Sequence, residues 1–442
     1  MFAYTVDNSF KIPYPVRHSV ACMFSRNKTI YLDHAAATPM DARVFDAMKP
    51  YLTNEFSNPS ALYASGVRAR NAVEHSRKII ADALFTNPDS IIFTSSGTES
   101  NNLALLGVIK NVIPTAVEGS RCNTIHIITT LIEHDSVLAP IQELEKRGVD
   151  VTYVPVDEHG FVTVDQVEKA LRPETILISI MYANNEVGTI QPIADIGRMI
   201  LKYRKRNGNI YPLFHTDACQ AVTSLPLDVE KLHVDLMTIN GSKIYGPKGV
   251  GVLYKRRGVE LEPIMFGGGQ ESSLRSGTEN VAGIVGMAVA VESLKVHKVS
   301  KVKELRDYFW NEIKTKIGNV ELSGPHINPM LPLRRGSIRP QPREGVSHDR
   351  LPNNLNISFL GCEAETLVLY LDAKEIACSA GSACSTDKQE PSHVLKALGL
   401  SQDRIESAVR FTLGKSTTKK DIDKVMKVLP EIVEKVRNMN NQ

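Results

Sequence analysis

The stretch Val-Asp-Leu-Met-Thr-Ile-Asn-Gly-Ser-Lys-Ile-Tyr-Gly-Pro-Lys-Gly, residues 234–249, joins a short apolar run to a glycine-containing loop. The run Val234–Ile239 has the length and composition of a buried strand, and the loop after it carries Lys243. An amine that forms Schiff bases has to lose its proton, and a lysine in a loop-lined site near a cationic ring meets that requirement. Lys248 competes for this role, but it lies between proline and glycine in a sequence typical of an exposed turn. We therefore select Lys243 as the candidate catalytic amine.

Short apolar runs rich in β-branched residues recur between about Ile30 and Arg256. We predict strands at Ser90–Thr94, Thr124–Thr130, Val151–Val156, Thr175–Tyr182, Asn209–Phe214, Val234–Ile239 and Val250–Tyr254. Between them, Val67–Leu84 and Glu99–Ile109 have the apolar spacing of helices. Strands that alternate with helices predict an α/β domain built on a mostly parallel sheet, in which ligands bind at the carboxyl ends of the strands.

A chain of 442 residues exceeds one ordinary domain. We predict a large domain over residues 42–299 and a smaller α+β domain built from residues 1–41 and 300–442. The smaller domain contains a predicted strand at Asn354–Phe359 and a final helix from about Lys420 to Arg437. Between residues 324 and 350, five prolines alternate with arginines and exclude a long helix or a central strand. We interpret this insertion as an extended surface loop, with a basic partner-binding arm as the alternative.

The composition excludes several classes of protein. Hydrophobic residues make up 42% and charged residues 23%, which is typical of a globular protein and argues against disorder. The formal net charge is +3 without a long basic run, so direct nucleic-acid binding is not expected. The six cysteines lack the paired spacing of a zinc site, and we predict reduced thiols and no metal. No apolar run is long enough for a membrane span, and we predict a cytoplasmic protein, or a mitochondrial one if the N-terminal arm is a transit peptide.

Polar clusters follow several of the predicted strands. The cluster Ser95–Ser100 opens a helix with small and hydroxyl residues that suit a phosphate, although Ser96 or Thr98 as a simple helix cap explains it equally well. Asp217 follows an apolar run with little local charge to balance it, and a protonated pyridine nitrogen would serve as its partner. His134 also follows a strand, where a lone histidine is usually structural.

Eight motifs occur in a fixed order along the chain. They are S-G-T-E-S (96–100), E-H-D-S (133–136), N-N-E-V-G (184–188), H-T-D-A-C-Q (215–220), G-S-K-I-Y-G-P-K-G (241–249), G-G-G-Q-E (267–271), R-S-G-T-E-N (275–280) and S-A-G-S-A-C-S (379–385). This ordered set closely resembles the NifS/IscS-type cysteine desulfurases, which are fold-type I pyridoxal-phosphate (PLP) enzymes of the class-V aminotransferase family, with selenocysteine lyase as a close relative. The resemblance covers roughly Ile30 to Val433 and leaves out the N-terminal arm and the proline-rich insertion.

The resemblance implies PLP as the cofactor. It implies that Lys243 holds PLP as a Schiff base and that Asp217 pairs with the pyridinium nitrogen. His134 would stack on the ring and transfer protons, and Gln220 would hydrogen-bond the phenolic oxygen. The implied phosphate ligands are Gly97, Thr98, Ser242 and, from the partner subunit of a homodimer, Thr278.

The resemblance also implies L-cysteine as the substrate. Asn58 and Asn185 would contact it, and Arg410 would bind its carboxylate, although a structural arginine at a strand edge is the alternative reading of Arg410. Cys384 would attack the substrate sulfur, leave alanine, and carry a persulfide to a protein acceptor for iron–sulfur cluster assembly or thiolation. Cys378 has no such role in the family pattern, and we interpret it as a small buried residue.

Two features depart from the family pattern. Ser242 occupies a position that is most often histidine, but its hydroxyl can still bond a phosphate oxygen. The proline- and arginine-rich insertion has no counterpart in the compact bacterial members. Three alternatives stay open from the sequence: a selenocysteine lyase, another PLP reaction such as transamination, and a catalytically silent scaffold protein.

Overall fold

The computed structural model describes residues 29–112, 125–294, 299–327, 349–381 and 391–440. Within these ranges the strands are β1 (Ile30–Tyr31), β2 (Ile91–Thr94), β3 (His126–Thr130), β4 (Asp150–Val154), β5 (Thr175–Ser179), β6 (Leu213–Asp217), β7 (Leu236–Asn240), β8 (Gly251–Lys255), β9 (Val320–Leu322), β10 (Asn354–Phe359), β11 (Ile376–Ala377) and β12 (Ala408–Thr412). The helices are α1 (Ala42–Thr53), α2 (Ala64–Leu84), α3 (Gly97–Val112), α4 (Asp135–Lys146), α5 (Val164–Ala170), α6 (Ile193–Asn207), α7 (Val229–Leu232), α8 (Val281–Ser293), α9 (Val299–Lys316), α10 (Ala364–Asp372), α11 (His393–Ala397), α12 (Gln402–Glu406) and α13 (Lys419–Asn440).

The larger sheet has seven strands in the order β2-β8-β7-β6-β5-β3-β4. Strand β8 is antiparallel to both of its neighbours, and all the other pairs are parallel. Successive residues of a strand enter different cores: Ile127 and Leu236 pack into one cluster, whereas Ile128 and Met237 pack into the other. This alternation is expected for a sheet that is covered on both faces. The α/β fold with a mostly parallel sheet, predicted from the sequence, is confirmed.

The ends of the observed strands differ from the predicted ends. The run predicted as Asn209–Phe214 begins as a strand only at Leu213, because Pro212 has no N–H to donate to the sheet. The same strand continues to Asp217, so the carboxylate stands on the last residue of β6. The first three residues of the H-T-D-A-C-Q motif, His215 to Asp217, are therefore part of the sheet and not of the following loop.

A second core lies among the C-terminal elements. Strands β12, β10 and β9 form an antiparallel sheet, and β1 pairs in parallel with β11. Leu32, from the beginning of the described chain, packs in this core with apolar residues of β10, β12 and α13. The ring of Phe411 packs edge-on at 5.3 Å from that of Phe309 and at 6.4 Å from that of Phe359, measured between ring centroids.

The predictions about the C-terminal region have different outcomes. The predicted strand Asn354–Phe359 and the final helix are both present. The domain limits at residues 42 and 299 stay a prediction. Most of the proline- and arginine-rich insertion lies outside the described residues. In the described part of the chain, every helix is too short or too polar to cross a membrane.

We expect Phe411→Ala to lower the free energy of unfolding by about 3–5 kcal/mol, because it removes the ring at the centre of an aromatic cluster and leaves a cavity. Leu369→Ala is the matched control, since the Leu369 side chain is 69% exposed on α10 of the same region. Urea denaturation followed by circular dichroism measures both variants. Equal losses in the two variants would contradict the assignment of Phe411 to the core.

Candidate active site

Four of the predicted site residues lie at the carboxyl edge of the large sheet. Asp217 ends β6, and Lys243 lies in the 3-10 turn Gly241–Lys243 directly after β7, the neighbouring parallel strand. Gly97 opens α3 shortly after β2, and His134 caps α4 beyond β3. Because β2, β3, β6 and β7 run in the same direction, their ends meet along one edge of the sheet.

The Lys243 side chain points at a segment from the beginning of the described chain. Its Nζ donates hydrogen bonds to the carbonyl oxygens of Ala35 and Ala36, at 2.8 and 2.6 Å. The Nε2 of Gln220 donates to the same Ala35 oxygen at 3.0 Å, so the amine and the amide meet at one acceptor. Lys248 is exposed, as its position between proline and glycine predicts.

The turn that carries Lys243 is fixed from both sides. The Oδ1 of Asn240 accepts a hydrogen bond from the backbone N–H of Ser242 at 3.1 Å. The carbonyl of Ser242 accepts from both the N–H and the hydroxyl of Thr38, each at 2.9 Å. The backbone around the lysine is therefore positioned by short-range and long-range contacts together.

Asp217 is a buried carboxylate that receives two hydrogen bonds. Its Oδ2 accepts from Nδ2 of Asn101 at 2.7 Å, and its Oδ1 accepts from the N–H of Cys219 at 2.9 Å. Burial of a carboxylate is costly unless such donors, or a cation, compensate the lost water. Burial raises the pKa of the Cys219 thiol well above its usual range, and the charge of Asp217 acts in the same direction. A Cβ at Gly97 would lie 2.9 Å from the Cys219 sulfur, so glycine is needed at the start of α3.

His134 connects to Asp217 through two residues that the sequence did not identify. Its Nδ1 accepts from the backbone N–H of Ser136 at 3.0 Å and lies 2.8 Å from the Ser136 hydroxyl. That hydroxyl lies 2.8 Å from Nδ2 of Asn101, the same nitrogen that contacts Asp217. Helix periodicity could have revealed Asn101, because it lies one turn after Gly97 on α3 and therefore shares its face.

Glu133, next to His134, is fully buried. Its Oε1 accepts from the hydroxyl of Thr130 at 2.7 Å and from the N–H of Met181 at 2.8 Å. Burial raises its pKa to about 8 despite these two donors, and the charge of Asp217 adds to the increase. The raised pKa favours the protonated acid near neutral pH, and the Glu133 side chain ties the loop after β3 to the loop after β5.

Two of the predicted substrate-binding residues also meet. Arg410, on β12, is only 2% exposed. Its guanidinium donates to Oδ1 of Asp33 at 2.9 Å and to the carbonyl of Asn185 at 3.1 Å. The C-terminal sheet, the loop after β5 and the beginning of the described chain therefore converge on one guanidinium group.

The other predicted residues lie on the surface or outside the described chain. Thr98, Thr278 and Asn58 are exposed, and the Asn58 side chain accepts from the N–H of Ser60 at 2.9 Å. Cys384 lies outside the described residues, which end at Gly381 before it and resume at Pro391. Among the described residues, no group of three histidine, cysteine or acidic side chains is arranged to hold a metal ion.

Comparison with known proteins identifies the family. The family model described as aminotransferase class-V matches residues 30–330 and 338–425. The chain belongs to the class-V aminotransferase family. Among family members, the protein described as cysteine desulfurase IscS from Dictyoglomus turgidum (strain DSM 6724 / Z-1310) is 45% identical over 416 residues, which is 93% of this chain and 96% of that protein.

Solved structures of similar proteins agree with the family assignment. A structure described as a NifS-like protein has a TM-score of 0.78 and 34% identity, and the match covers 92% of this chain and 99% of that one. A second, described as SspA in complex with cysteine, has a TM-score of 0.71 and 35% identity, with 88% of this chain and all of that chain covered (100%). The predicted resemblance to NifS/IscS-type cysteine desulfurases is confirmed.

The raised pKa of Glu133 predicts a pH-dependent difference in stability between the protein and its Glu133→Gln variant. The folded state keeps a proton that the unfolded state releases between its pKa of 4.5 and the folded pKa of about 8. The protonated acid therefore contributes stability below the unfolded pKa, and this contribution is lost as the pH rises through that window, by up to about 1.4 kcal/mol per pH unit. Glutamine has no proton to lose, so the variant should become more stable relative to the parent protein as the pH rises.

Denaturant unfolding of both proteins between about pH 5 and about pH 9 measures this difference in the free energy of unfolding. Groups that titrate alike in the two proteins contribute equally to both values and cancel in the difference. Glu168→Gln, at an exposed position of α5, is the control and should give a nearly constant difference. A constant difference for Glu133→Gln as well would show that Glu133 is ionised in the folded protein.

Proposed function

We propose that this protein is a PLP-dependent cysteine desulfurase that converts L-cysteine to L-alanine and holds the sulfur as a persulfide on Cys384. The observation that carries this proposal is the position of Lys243 in the turn directly after β7, next to the strand β6 that ends in the buried Asp217 carboxylate, in a chain whose relatives are described as cysteine desulfurases.

The side chains present fit PLP. Lys243 offers an amine at the carboxyl edge of the sheet, and Asp217 offers a buried carboxylate for a protonated pyridine nitrogen. The 16-residue helix α3 begins at Gly97, and the positive end of its dipole there favours a phosphate. When bound, PLP supplies an electron sink for bond changes at the substrate carbon atoms.

The chain's own residues have distinct tasks in this proposal. Asp217, whose carboxylate accepts hydrogen bonds from the N–H groups of Asn101 and Cys219, would pair with the protonated pyridine nitrogen. His134 would contact the cofactor ring and transfer protons, and Gln220, which shares the Ala35 oxygen with Lys243, would hydrogen-bond the phenolic oxygen. The phosphate would be held by a set of small residues: Gly97, Thr98, Ser242 and, from the partner subunit, Thr278.

A homodimer is part of the proposal because Thr278 would serve the site of the other subunit. An exposed apolar surface on α1 and the segment after it supports an interface. Its large side chains are exposed by 54 to 90%: Phe45, Leu52, Phe56, Leu62 and Tyr63. An apolar surface of this kind is typical of an interaction site.

The proposed substrate is L-cysteine, and one structural relative is described as a complex with cysteine. Arg410 would bind the carboxylate of the substrate through its guanidinium group, which is buried and pairs with the Asp33 carboxylate in this structure. Asn185 lies against the same guanidinium, and Asn58 would approach from the surface. The predicted localisation, cytoplasmic or mitochondrial, stays a prediction.

Cys384 would act as the nucleophile. Its thiolate attacks the sulfur of bound cysteine, so that a sulfur–sulfur bond forms while the carbon–sulfur bond of the substrate breaks. The electron pair of the broken bond remains with the substrate carbon, which takes up a proton to give alanine. The persulfide sulfur is then available to a protein acceptor for iron–sulfur cluster assembly or thiolation.

We expect the PLP-loaded protein, incubated with L-cysteine, to yield alanine and to gain one sulfur atom on the peptide that contains Cys384. Cys384→Ser should lose both products while it keeps the cofactor absorbance. Cys378→Ser is the matched control, because burial strongly raises the pKa of the Cys378 thiol and makes it a poor nucleophile. Alanine formation at the normal rate by Cys384→Ser would exclude the proposed nucleophile, and a strong preference for selenocysteine in the same assay would exclude cysteine as the main substrate.

Lys243→Ala should abolish the visible cofactor absorbance and lower the rate of alanine formation by roughly 10³-fold, since it removes the reacting amine. Lys248→Ala, five residues along the same loop and exposed, should leave both nearly unchanged. Absorbance titration with PLP and alanine analysis measure the two effects. A normal cofactor spectrum in Lys243→Ala would show that another lysine forms the Schiff base with PLP.

A further inference from the structure

A buried chain of hydrogen bonds links Asp217 to His134. Nδ2 of Asn101 lies 2.7 Å from Oδ2 of Asp217 and 2.8 Å from Oγ of Ser136, and that hydroxyl lies 2.8 Å from Nδ1 of His134. Asn101 is 0%, Ser136 8% and Asp217 7% exposed. The chain therefore connects the proposed partner of the cofactor nitrogen with the proposed partner of the cofactor ring face, away from water.

The chemistry of the groups fixes the direction of each hydrogen bond. An ionised carboxylate can only accept, so the amide nitrogen of Asn101 faces Asp217 and donates. The same nitrogen has a second hydrogen, which it donates to the Ser136 hydroxyl. The hydroxyl then gives its own hydrogen to Nδ1 of His134.

The backbone sets the far end of the chain independently. The N–H of Ser136 donates to the same Nδ1 at 3.0 Å, and a backbone N–H can only be a donor. Nδ1 is therefore an unprotonated acceptor, and the proton of the neutral ring lies on Nε2. Both ends of the hydrogen-bond chain are therefore acceptors: Nδ1 of His134 at one end and the Asp217 carboxylate at the other. Asn101, between them, donates both of its amide hydrogens.

In this arrangement Asn101 uses both of its amide hydrogens, but its carbonyl oxygen is left without a donor among the described residues. Its Oδ1 is buried and has no hydrogen-bond partner within the described part of the chain. An unsatisfied buried acceptor is unfavourable, and aspartate at this position would lack the two donors that the chain uses. The amide is thus oriented by its two N–H groups and not by its carbonyl.

We propose that Asn101 and Ser136 are positioning residues of the active site that orient the Asp217 carboxylate as a hydrogen-bond acceptor and hold His134 in the tautomer that carries its proton on Nε2. The inference rests on the proposed function, because it concerns the two side chains that would contact PLP. It goes beyond that function because the tautomer of His134 and the orientation of the Asp217 carboxylate then depend on one shared chain of hydrogen bonds. The loss of either link then impairs the same unit.

A double-mutant cycle tests whether the two residues act as one unit. Asn101→Ala and Ser136→Ala should each lower kcat for alanine formation by about tenfold to a hundredfold with little change in KM, as expected for loss of a hydrogen bond to a charged or catalytic group. The double variant should be no slower than the slower single variant. Losses that multiply in the double variant, or single variants with normal kcat, would overturn the proposal.

Two further variants separate polarity from packing. Asn101→Asp keeps the shape but places an acceptor against Asp217, so its kcat should fall below that of Asn101→Ala. Ser136→Thr keeps the hydroxyl and the N–H and should restore most of the activity lost in Ser136→Ala. Asn111→Ala, at the other end of α3, is the control for the helix. Equal activity of Asn101→Asp and the parent protein would contradict the assigned polarity.

Two measurements do not require desulfurase activity. Nitrogen-15 NMR of the full chain without PLP, with the His134 signals assigned by comparison with His134→Gln, should show the proton on Nε2; a proton on Nδ1 would overturn the proposal. Titration with PLP should give a dissociation constant about tenfold weaker for Asn101→Ala than for the parent protein, and an unchanged constant would contradict the link to Asp217. If the parent protein makes no alanine from cysteine, the proposed function fails while these two measurements still decide the inference.

Discussion

The buried carboxylate of Asp217 at the end of β6 is the constraint around which the rest of the site is arranged. A carboxylate in this position needs donors, and they come from α3 and from the turn after β6. The turn brings the Cys219 sulfur against the start of α3, which accepts only glycine there. Burial raises the pKa of Glu133 and of Cys219, and the charge of the same carboxylate adds to both increases.

The segment from Asp33 to Thr38 joins this edge to the C-terminal sheet. Asp33 pairs with Arg410, and the carbonyl of Ala35 receives both Lys243 and Gln220. Leu32, directly before this segment, packs in the C-terminal core. The surroundings of the lysine amine therefore depend on three parts of the chain: the segment from Asp33 to Thr38, the loops that carry Gln220 and Lys243, and the strand that carries Arg410. A change in how the two cores pack would alter the position of the amine as well as that of the guanidinium group.

The loops after β3 and β5 are in turn held to the helix that follows the cysteine-bearing motif. Nε2 of His393 lies 2.9 Å from the carbonyl oxygen of Glu133, and the hydroxyl of Ser392 donates to Oε2 of Glu186 at 2.6 Å. Apolar residues of α11 pack with Ile132 and Val187 from the same two loops. The point at which the described chain resumes after Cys384 is thus fixed close to His134 and Asn185.

The sequence by itself determined the class of fold and the family, because strand and helix periodicity and short motifs are local properties that survive without knowledge of contacts. It also placed Lys243, Asp217 and His134 correctly at strand ends, since the carboxyl ends of parallel strands must meet. Only the tertiary structure showed that Asn101 and Ser136 link Asp217 to His134, that Glu133 is buried and its pKa raised, and that Arg410 meets Asp33. These contacts join residues up to 377 positions apart, and their energies depend on burial and on the direction of each hydrogen bond. Neither burial nor hydrogen-bond direction can be read from the local pattern of residues, because both depend on how distant parts of the chain pack together.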